Sequence, residues 1–337
     1  MKAVGYKTPG PIDRDDALVD VTLETPRASG RDLLVEIRAV SVNPVDTKVR
    51  RRAGAEGYEW KVLGYDAAGV VAVTGEEVSG FRPGDEVWYS GSIARQGTNS
   101  EFHLVDERIV GRKPRTLSFA EAAALPLTTI TAWEMLFDRL DIRKPVPGAA
   151  DAVLIIGGAG GVGSIAIQLV RVLTGLTVIA TASRPETRDW VRALGAHHMV
   201  DHTAPLAEQV AALGIGAPGL VFCTTQTDRH QSEIEALIAP QGRFGLIDDP
   251  IAFNVLPFKR KAVSIHWEMM FARPVFGTPD MGEQGRLLNE VADLVDAGRI
   301  RTTLTESAGR ITAADLKAAH ARIESGTARG KIVLEGF

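Results

Sequence analysis

The chain has 337 residues, a length that favours two domains or one domain with a large elaboration. Hydrophobic residues make up 45% and charged residues 24% of the sequence, which is typical of a globular protein and excludes a disordered or collagen-like chain. The net charge is −4, and no basic run is longer than a short cluster such as Arg50, Arg51 and Arg52, so nucleic-acid binding is not expected.

Cys223 is the single cysteine of the chain. An intrachain disulfide and a thiolate-rich metal site are therefore excluded, and a reducing, cytoplasmic location is expected. The N-terminal residues lack the apolar stretch of a signal peptide, and no run of about 18 apolar residues occurs that could cross a membrane. We expect no membrane partner.

The first part of the chain contains short β-type runs separated by Gly and Pro, the clearest being residues 33–42, 69–73 and 85–89. These runs predict a β-rich module. After Ser118 the apolar residues recur at helical spacing over residues 119–125 and 129–140, with Pro126 between the two stretches. We therefore expect a domain boundary near residue 127.

From residue 153 onward, apolar strands alternate with helices, and the predicted strands are residues 153–156, 177–182, 198–200, 220–224 and 243–247. This alternation predicts a doubly wound parallel sheet. The tail contains predicted helices at 283–297 and 313–324 and a last strand at 331–334. It need not belong to the parallel sheet and could return to the first module.

A glycine-rich turn follows the first of these strands, with Gly158, Gly160 and Gly163 spaced as G-x-G-x-x-G. The first glycine suits a tight turn, the second a close approach of backbone to a pyrophosphate, and the third a close packing of helix on strand. The helix that follows would direct the N–H groups of Gly161 and Val162 at an anion. The pattern predicts a dinucleotide site.

The second strand of the unit ends in Ser183 and Arg184, where an NAD-selective site would carry Asp or Glu for the ribose hydroxyls. A hydroxyl and a guanidinium suit a 2′-phosphate, and Arg188 lies one helical turn further on. Our hypothesis is a preference for NADPH. The alternative is that Arg184 and Arg188 are solvated residues at the start of a helix.

With this order of modules, the chain resembles the medium-chain dehydrogenase/reductase superfamily. The likeness is greatest to its quinone oxidoreductase-like branch and to chains called zinc-type alcohol dehydrogenase-like. Besides the glycine turn, it rests on Ser-Val-Asn-Pro-Val-Asp at 41–46, Leu-Gly-Tyr-Asp-Ala-Ala-Gly at 63–69, Arg-Pro-Gly-Asp-Glu-Val at 82–87, Ala-Ala-Leu-Pro-Leu-Thr at 123–128 and Gly-Lys-Ile-Val-Leu at 330–334.

The resemblance implies an α/β protein in which a GroES-like β-rich substrate domain, residues 1–126 and 276–337, wraps around a Rossmann dinucleotide-binding domain, residues 127–275. The active site would lie in the cleft between them, and homodimers are common in the family. Thr128 and Thr131 would reach the nicotinamide or else pack within their helix. Lys331 would touch a coenzyme phosphate or else cap the fold.

Zinc is where the sequence departs from the alcohol dehydrogenases it resembles. Their zinc ligands fall at positions that hold Asn43, Pro44, Tyr65 and Leu127 in this chain. A catalytic zinc needs three Cys, His or carboxylate ligands, and only two aspartates, Asp46 and Asp66, lie close in sequence. We therefore predict no metal site.

Without a metal to lower the pKa of an alcohol, reduction of an electron-poor quinone or enone is favoured over alcohol oxidation. Four residues are candidates for the chemistry. Asn43 would donate an amide N–H to the substrate carbonyl or hold the nicotinamide ribose, unless it only structures its loop. Asp46 is a weaker candidate base, and Tyr58 or Tyr65 would act as an acid or simply line the pocket.

The leading hypothesis is an NADPH-dependent, zinc-independent reductase of quinones or related carbonyl-activated acceptors. Three alternatives stay open: an enoyl (alkene) reductase acting through Tyr58, a zinc-type alcohol dehydrogenase, and an NADPH-binding protein with little turnover.

Of the histidines, His197, His198 and His202 flank a short strand and are assigned to surface packing. His266 is assigned a structural role, with a place in the substrate pocket as the alternative.

Overall fold

The computed structural model describes residues 1–337. Its strands are, in chain order, β1 (Lys2–Tyr6), β2 (Val19–Thr22), β3 (Asp32–Val42), β4 (Lys61–Val62), β5 (Ala67–Thr74), β6 (Glu86–Tyr89), β7 (Phe102–Asp106), β8 (Val110–Arg112), β9 (Ala150–Ile156), β10 (Thr177–Thr181), β11 (His198–Val200), β12 (Pro218–Cys223), β13 (Arg243–Leu246), β14 (Ser264–Trp267), β15 (Leu304–Ser307) and β16 (Lys331–Glu335).

The helices are α1 (Pro44–Arg52), α2 (Phe119–Ala123), α3 (Pro126–Trp133), α4 (Gly161–Leu173), α5 (Pro185–Ala193), α6 (Leu206–Ala212), α7 (Thr227–Leu237), α8 (Ala272–Phe276), α9 (Glu283–Asp296) and α10 (Ala313–Glu324). Short 3-10 helices occur at Glu107–Ile109 and Leu256–Lys261, and a π-helix at Glu134–Arg139 continues α3. No helix is long and apolar enough to span a bilayer.

The chain divides into two compact units, here called the β-rich unit (residues 1–130 and 271–337) and the Rossmann unit (residues 131–270). The predicted divisions fell after residues 126 and 275, and the observed ones fall after residues 130 and 270. Pro126 does not end the helical region, because it is the first residue of α3, a position where the missing N–H of proline costs nothing.

The β-rich unit contains a sheet of seven strands in the order β15-β16-β3-β5-β6-β8, with β7 paired to another part of β3. The last strand of the chain, β16, runs antiparallel to β3, with Ile332 opposite Val42 and Leu334 opposite Val40. The tail therefore returns to the first module. Both ends of the chain form one sheet, and residues near its carboxyl end lie beside residues near position 42.

The Rossmann unit contains a parallel sheet in the order β11-β10-β9-β12-β13-β14, six strands with the central pair β9 and β12 in register from Leu220 opposite Val153. The apolar run of β9 is fully buried because helices cover both faces of a parallel sheet. The doubly wound α/β class is confirmed. Sequence analysis missed the sixth strand: His266 lies inside β14 and not beyond the sheet.

Candidate functional site

The glycine turn joins β9 to α4 in the Rossmann unit. Gly157 takes the left-handed conformation, with φ of 82°, so the tight turn falls one residue earlier than the sequence pattern predicted. A Cβ on Gly163 would lie 2.3 Å from the carbonyl oxygen of Gly157. This separation is a steric clash, so no residue with a side chain fits at position 163. Gly158 is needed for packing, since a Cβ there would lie 2.9 Å from the Cβ of Ala180.

Gly160 is the N-cap of α4, and its surroundings are open, because a Cβ there would meet only the oxygen of Gly157 at 3.4 Å. The first intrahelical bond runs from Ser164 N to Gly160 O at 2.9 Å. The N–H groups of Gly161, Val162 and Gly163 precede this bond and have no partner within the helix. They form the start of an anion site at the carboxyl edge of the sheet, which fits the pyrophosphate of a dinucleotide.

The sheet order places the ribose end of such a dinucleotide beside β10. Ser183 and Arg184 follow β10 directly, and Arg184 is the N-cap of α5. Arg188 folds back from α5, and its guanidinium donates to the carbonyl of Ala182 at 3.3 Å. The three side chains proposed for the 2′-phosphate therefore surround the end of one strand, and no carboxylate takes the NAD-selective position.

In the β-rich unit, a buried polar cluster forms from Asn43, Asp46, Asp66 and Lys331. The ammonium of Lys331 lies 3.0 Å from Asp66 Oδ2 and also donates to Asn43 Oδ1 and to the carbonyl of Val42. The backbone N–H of Leu127 donates to Asp66 Oδ1 at 2.8 Å. All hydrogen bonds to the carboxyl oxygens of Asp66 come from donors, which favour the carboxylate, whereas burial raises the pKa of Asp66.

The cluster changes the roles expected for two of its members. Asn43 donates its amide hydrogens to Asp66 at 2.9 Å and to the carbonyl of Ser41 at 3.2 Å, which leaves none for a substrate carbonyl. Lys331 is 3% exposed, and its hydrogens are directed inward. The donor groups of Asn43 and Lys331 are therefore already satisfied inside the β-rich unit.

Asp46 lies at the start of α1, where its carboxylate accepts from Asn43 N at 2.7 Å and from Gly64 N at 3.0 Å. Burial raises the pKa of Asp46 to about 7, although these two N–H groups and the charge of Lys331 act in the opposite direction. Asp46 holds the Gly64 turn against α1. It is also a carboxyl whose protonation changes near neutral pH.

Tyr65 follows that turn and is 1% exposed, and its hydroxyl has no hydrogen-bond partner in the protein. Its ring packs edge-on against Phe271 at a centroid distance of 5.5 Å. Burial, assisted by the charge of Asp46, raises the pKa of Tyr65, so the phenol stays protonated. A buried hydroxyl without a partner is rare in folded proteins, which makes Tyr65 a candidate donor to a bound molecule.

Tyr58 is not part of this cluster. It lies in the segment between α1 and β4, and its side chain is 49% exposed.

Thr128 donates its hydroxyl to the carbonyl of Leu125 at 3.0 Å, the bond expected of a residue that packs within its helix. Thr131 is buried at the start of the Rossmann unit. The nicotinamide contacts of these two threonines stay predictions.

The donor set around Asp66 does not match a catalytic zinc site. The structure brings the segments of Asn43, Tyr65 and Leu127 together, as the resemblance implied, but with an amide, a phenol and an apolar side chain. No three His, Cys, Asp or Glu side chains form a group that could hold a metal ion. The cation beside Asp66 is the ammonium of Lys331.

A Rossmann sheet with its glycine turn and a GroES-like β-rich unit together define an oxidoreductase that uses NAD(P)H. The sequence pattern of the alcohol dehydrogenase GroES-like domain matches residues 29–133, and that of the zinc-binding dehydrogenase matches residues 194–334. A zinc-type alcohol dehydrogenase-like protein of Staphylococcus aureus (strain MSSA476) is 38% identical over 99% of both chains. The chain belongs to the medium-chain dehydrogenase/reductase superfamily, in its quinone oxidoreductase-like branch.

The names of further relatives refer to different activities. The mouse mitochondrial NAD(P)H oxidoreductase RTN4IP1 is 30% identical, over 90% of this chain and 81% of its own. A Rhizobium etli CFN 42 protein provisionally named a zinc-dependent alcohol dehydrogenase is 68% identical, with a TM-score of 0.99 over 100% of this chain and 98% of that one. A quinone oxidoreductase of Pseudomonas syringae is 25% identical, with a TM-score of 0.84 over 99% of each chain.

Removing the buried ammonium tests the cluster. Lys331→Met should lower the free energy of unfolding by about 3–5 kcal/mol, because the Asp66 carboxylate would stay buried without its counter-ion. Chemical denaturation monitored by circular dichroism measures this loss. The double variant Lys331→Met, Asp66→Asn should recover part of it, since no buried charge remains. A loss below about 1 kcal/mol for the single variant would contradict the ion pair described here.

Proposed function

We propose that the protein is an NADPH-dependent reductase that transfers a hydride to quinones or related carbonyl-activated acceptors without zinc. The observation that carries this proposal is the hydroxyl of Tyr65, which is buried, protonated and unpartnered beside a polar cluster that lacks a metal-binding set. The quinone oxidoreductase of Pseudomonas syringae, similar over nearly the whole chain, supports the acceptor class.

NADPH, when bound, supplies the hydride, and the residues of this chain have the other tasks. The N–H groups at the start of α4 and the side chains of Ser183, Arg184 and Arg188 hold the phosphates. Tyr65 donates a hydrogen bond to the acceptor oxygen, whose negative charge grows as hydride reaches the ring. The anion formed by hydride addition takes one proton from solvent, and tautomerisation of the ring hydrogen completes the hydroquinone. The overall reaction converts quinone, NADPH and one proton to hydroquinone and NADP⁺.

Turnover of chelator-treated protein tests the proposal. Initial rates with an ortho-quinone, an enone and an aldehyde should be highest for the quinone with NADPH. Tyr65→Phe should lower kcat for the quinone by about tenfold to a hundredfold, because one donor to the developing oxyanion is lost, while the Kd of NADPH stays unchanged. Turnover only after zinc is restored, or no turnover with any acceptor, would refute the proposed function.

The same change at Tyr58 is the matched comparison. Tyr58→Phe removes a phenol that lies half exposed outside the cluster, so quinone reduction should change by less than about twofold. Loss of enone reduction in Tyr58→Phe, with Tyr65→Phe fully active, would instead identify an alkene reductase that acts through Tyr58.

The coenzyme preference rests on the two arginines beyond β10. Replacing both Arg184 and Arg188 by Ala should weaken NADPH binding by about tenfold to a hundredfold, because charge-assisted hydrogen bonds to the 2′-phosphate are lost, and should leave NADH binding unchanged. Fluorescence titration of both coenzymes measures this. Arg192→Ala is the control, since Arg192 pairs with Asp189 on the same helix, at the solvent face. Equal losses for NADPH and NADH would contradict the assignment.

We further propose that the protein is a homodimer that pairs through β14. This strand is the outer strand of the parallel sheet, and its far edge has no partner. Apolar side chains stand exposed at its carboxyl end: Trp267, its last residue, is 54% exposed, and Met269, two residues further on, is 54% exposed. An unprotected apolar edge is what a second copy would cover.

Trp267→Asp should convert the dimer to a monomer at micromolar concentration, because a charge would be buried at the centre of the pairing surface. Light scattering coupled to gel filtration measures the mass. Val73→Asp, which introduces the same charge at an exposed apolar position of the β-rich unit, should leave the mass unchanged. A monomeric parent chain would refute the dimer outright.

A further inference from the structure

A second group of side chains lies beyond Ser183, at the same carboxyl edge of the Rossmann sheet. Residues from three separate segments meet there: Ser183 after β10, His202 after β11, and Arg229 with His230 in the first turns of α7. The hydroxyl of Ser183 lies 3.4 Å from Nε2 of His202. Sequence analysis assigned His202 to surface packing, and the structure instead places it against a residue of the predicted 2′-phosphate site.

The fold does not saturate the imidazole of His202. Its Nδ1 is buried without a hydrogen-bond partner, and the contact of Nε2 with Ser183 is long. The neighbouring histidine of the same region is different, because His197 accepts from the backbone N–H of Val178 at 2.9 Å and also contacts Arg171. His197 is a packing residue. His202 has hydrogen-bonding capacity left for a bound molecule.

The charges that face His202 are mainly positive. Arg184 faces it from the start of α5 and Arg229 from α7, while His230 stands next to it and Asp201 is the carboxylate on its own segment. Arg188 faces Asp201, whose oxygen accepts from the backbone and hydroxyl of Thr203. Around His230 lie Arg229, Asp228 and Glu233. Arg184 also pairs with Glu186 at the surface.

Burial lowers the pKa of His202 below its ordinary value, and Arg229 and Arg184 lower it further against the opposing effect of Asp201. The free protein therefore carries a neutral ring at pH 7. A dianion placed among these groups would reverse the balance, because it stabilises the imidazolium and offsets both guanidinium charges. His202 should therefore gain a proton when a dianion binds among these positive charges.

We propose that His202 is a further ligand of the coenzyme 2′-phosphate and takes up a proton as that phosphate binds, so that the preference for NADPH over NADH increases as the pH falls. The inference rests on the proposed NADPH preference and deepens it. The proton comes from solvent and is released when NADP⁺ leaves, so no other reactant is needed. NADH lacks the 2′-phosphate and has no such coupling.

Binding of 2′,5′-ADP and of 5′-AMP, measured by isothermal titration calorimetry between pH 6.5 and 8.0, tests this without turnover. Buffers of different ionisation enthalpy give the number of protons taken up. The wild-type affinity for 2′,5′-ADP should fall about threefold to tenfold more over this range than that of His202→Gln, whose side chain cannot be protonated. The phosphate itself titrates near pH 6, and the comparison with His202→Gln subtracts that contribution.

Three further measurements complete the test. His202→Lys should bind 2′,5′-ADP tightly with only the pH dependence seen for His202→Gln, because its ammonium is permanent over this range. His198→Gln, a change on the same strand segment, should behave as wild type. Inorganic phosphate should bind far more weakly than 2′,5′-ADP, because it lacks the adenosine contacts.

The outcomes separate this inference from the proposed function. If 2′,5′-ADP is preferred over 5′-AMP but wild type and His202→Gln show the same pH dependence and proton uptake, the role of His202 is overturned and the NADPH preference stands. If 2′,5′-ADP binds no better than 5′-AMP at any pH, both the coenzyme preference and the role of His202 are overturned.

Discussion

The ion pair of Asp66 and Lys331 is the interaction on which the β-rich unit depends. It joins residues 265 positions apart, and both are fully enclosed. Removal of an ammonium and a carboxylate from water is unfavourable by several kcal/mol for each, so the pair is stable only because Asn43 and the N–H of Leu127 satisfy the remaining groups. These bonds fix β16 against β3, and they fix the start of α3 beside the pair.

The same cluster is the basis of the proposal that this chain, although related to zinc-type dehydrogenases, works without zinc. Where the resemblance puts metal ligands, the structure has an amide that is fully hydrogen-bonded and a phenol that is not. The ammonium of Lys331 already balances the charge of Asp66. The hydrogen bond that we propose from Tyr65 is a weaker electrophile than a metal ion, and it suits acceptors that are already electron-poor, such as quinones.

The coenzyme site in the Rossmann unit depends on backbone geometry at one end and on charge at the other. The glycine turn allows no side chain at Gly163, so the start of α4 approaches β9 closely and directs its N–H groups at the sheet edge. At the ribose end, His202 lies against Ser183, Arg188 donates to the carbonyl of Ala182, and the charges of Arg184 and Arg229 act on His202. If the protein prefers NADPH, as we propose, selectivity between coenzymes is an electrostatic property that responds to protonation.

The sequence by itself determined the fold class, the two-unit organisation and the glycine turn, because strand-helix periodicity and the spacing of glycines are local properties of the chain. Local pattern also led to the prediction that Ser183, Arg184 and Arg188 bind a 2′-phosphate. It could not identify the satisfied amide of Asn43, the inward ammonium of Lys331 or the place of His202 beside Ser183, nor that β14 completes the sheet. Those depend on contacts between segments far apart in the chain, and only the tertiary structure decides which donors and charges meet.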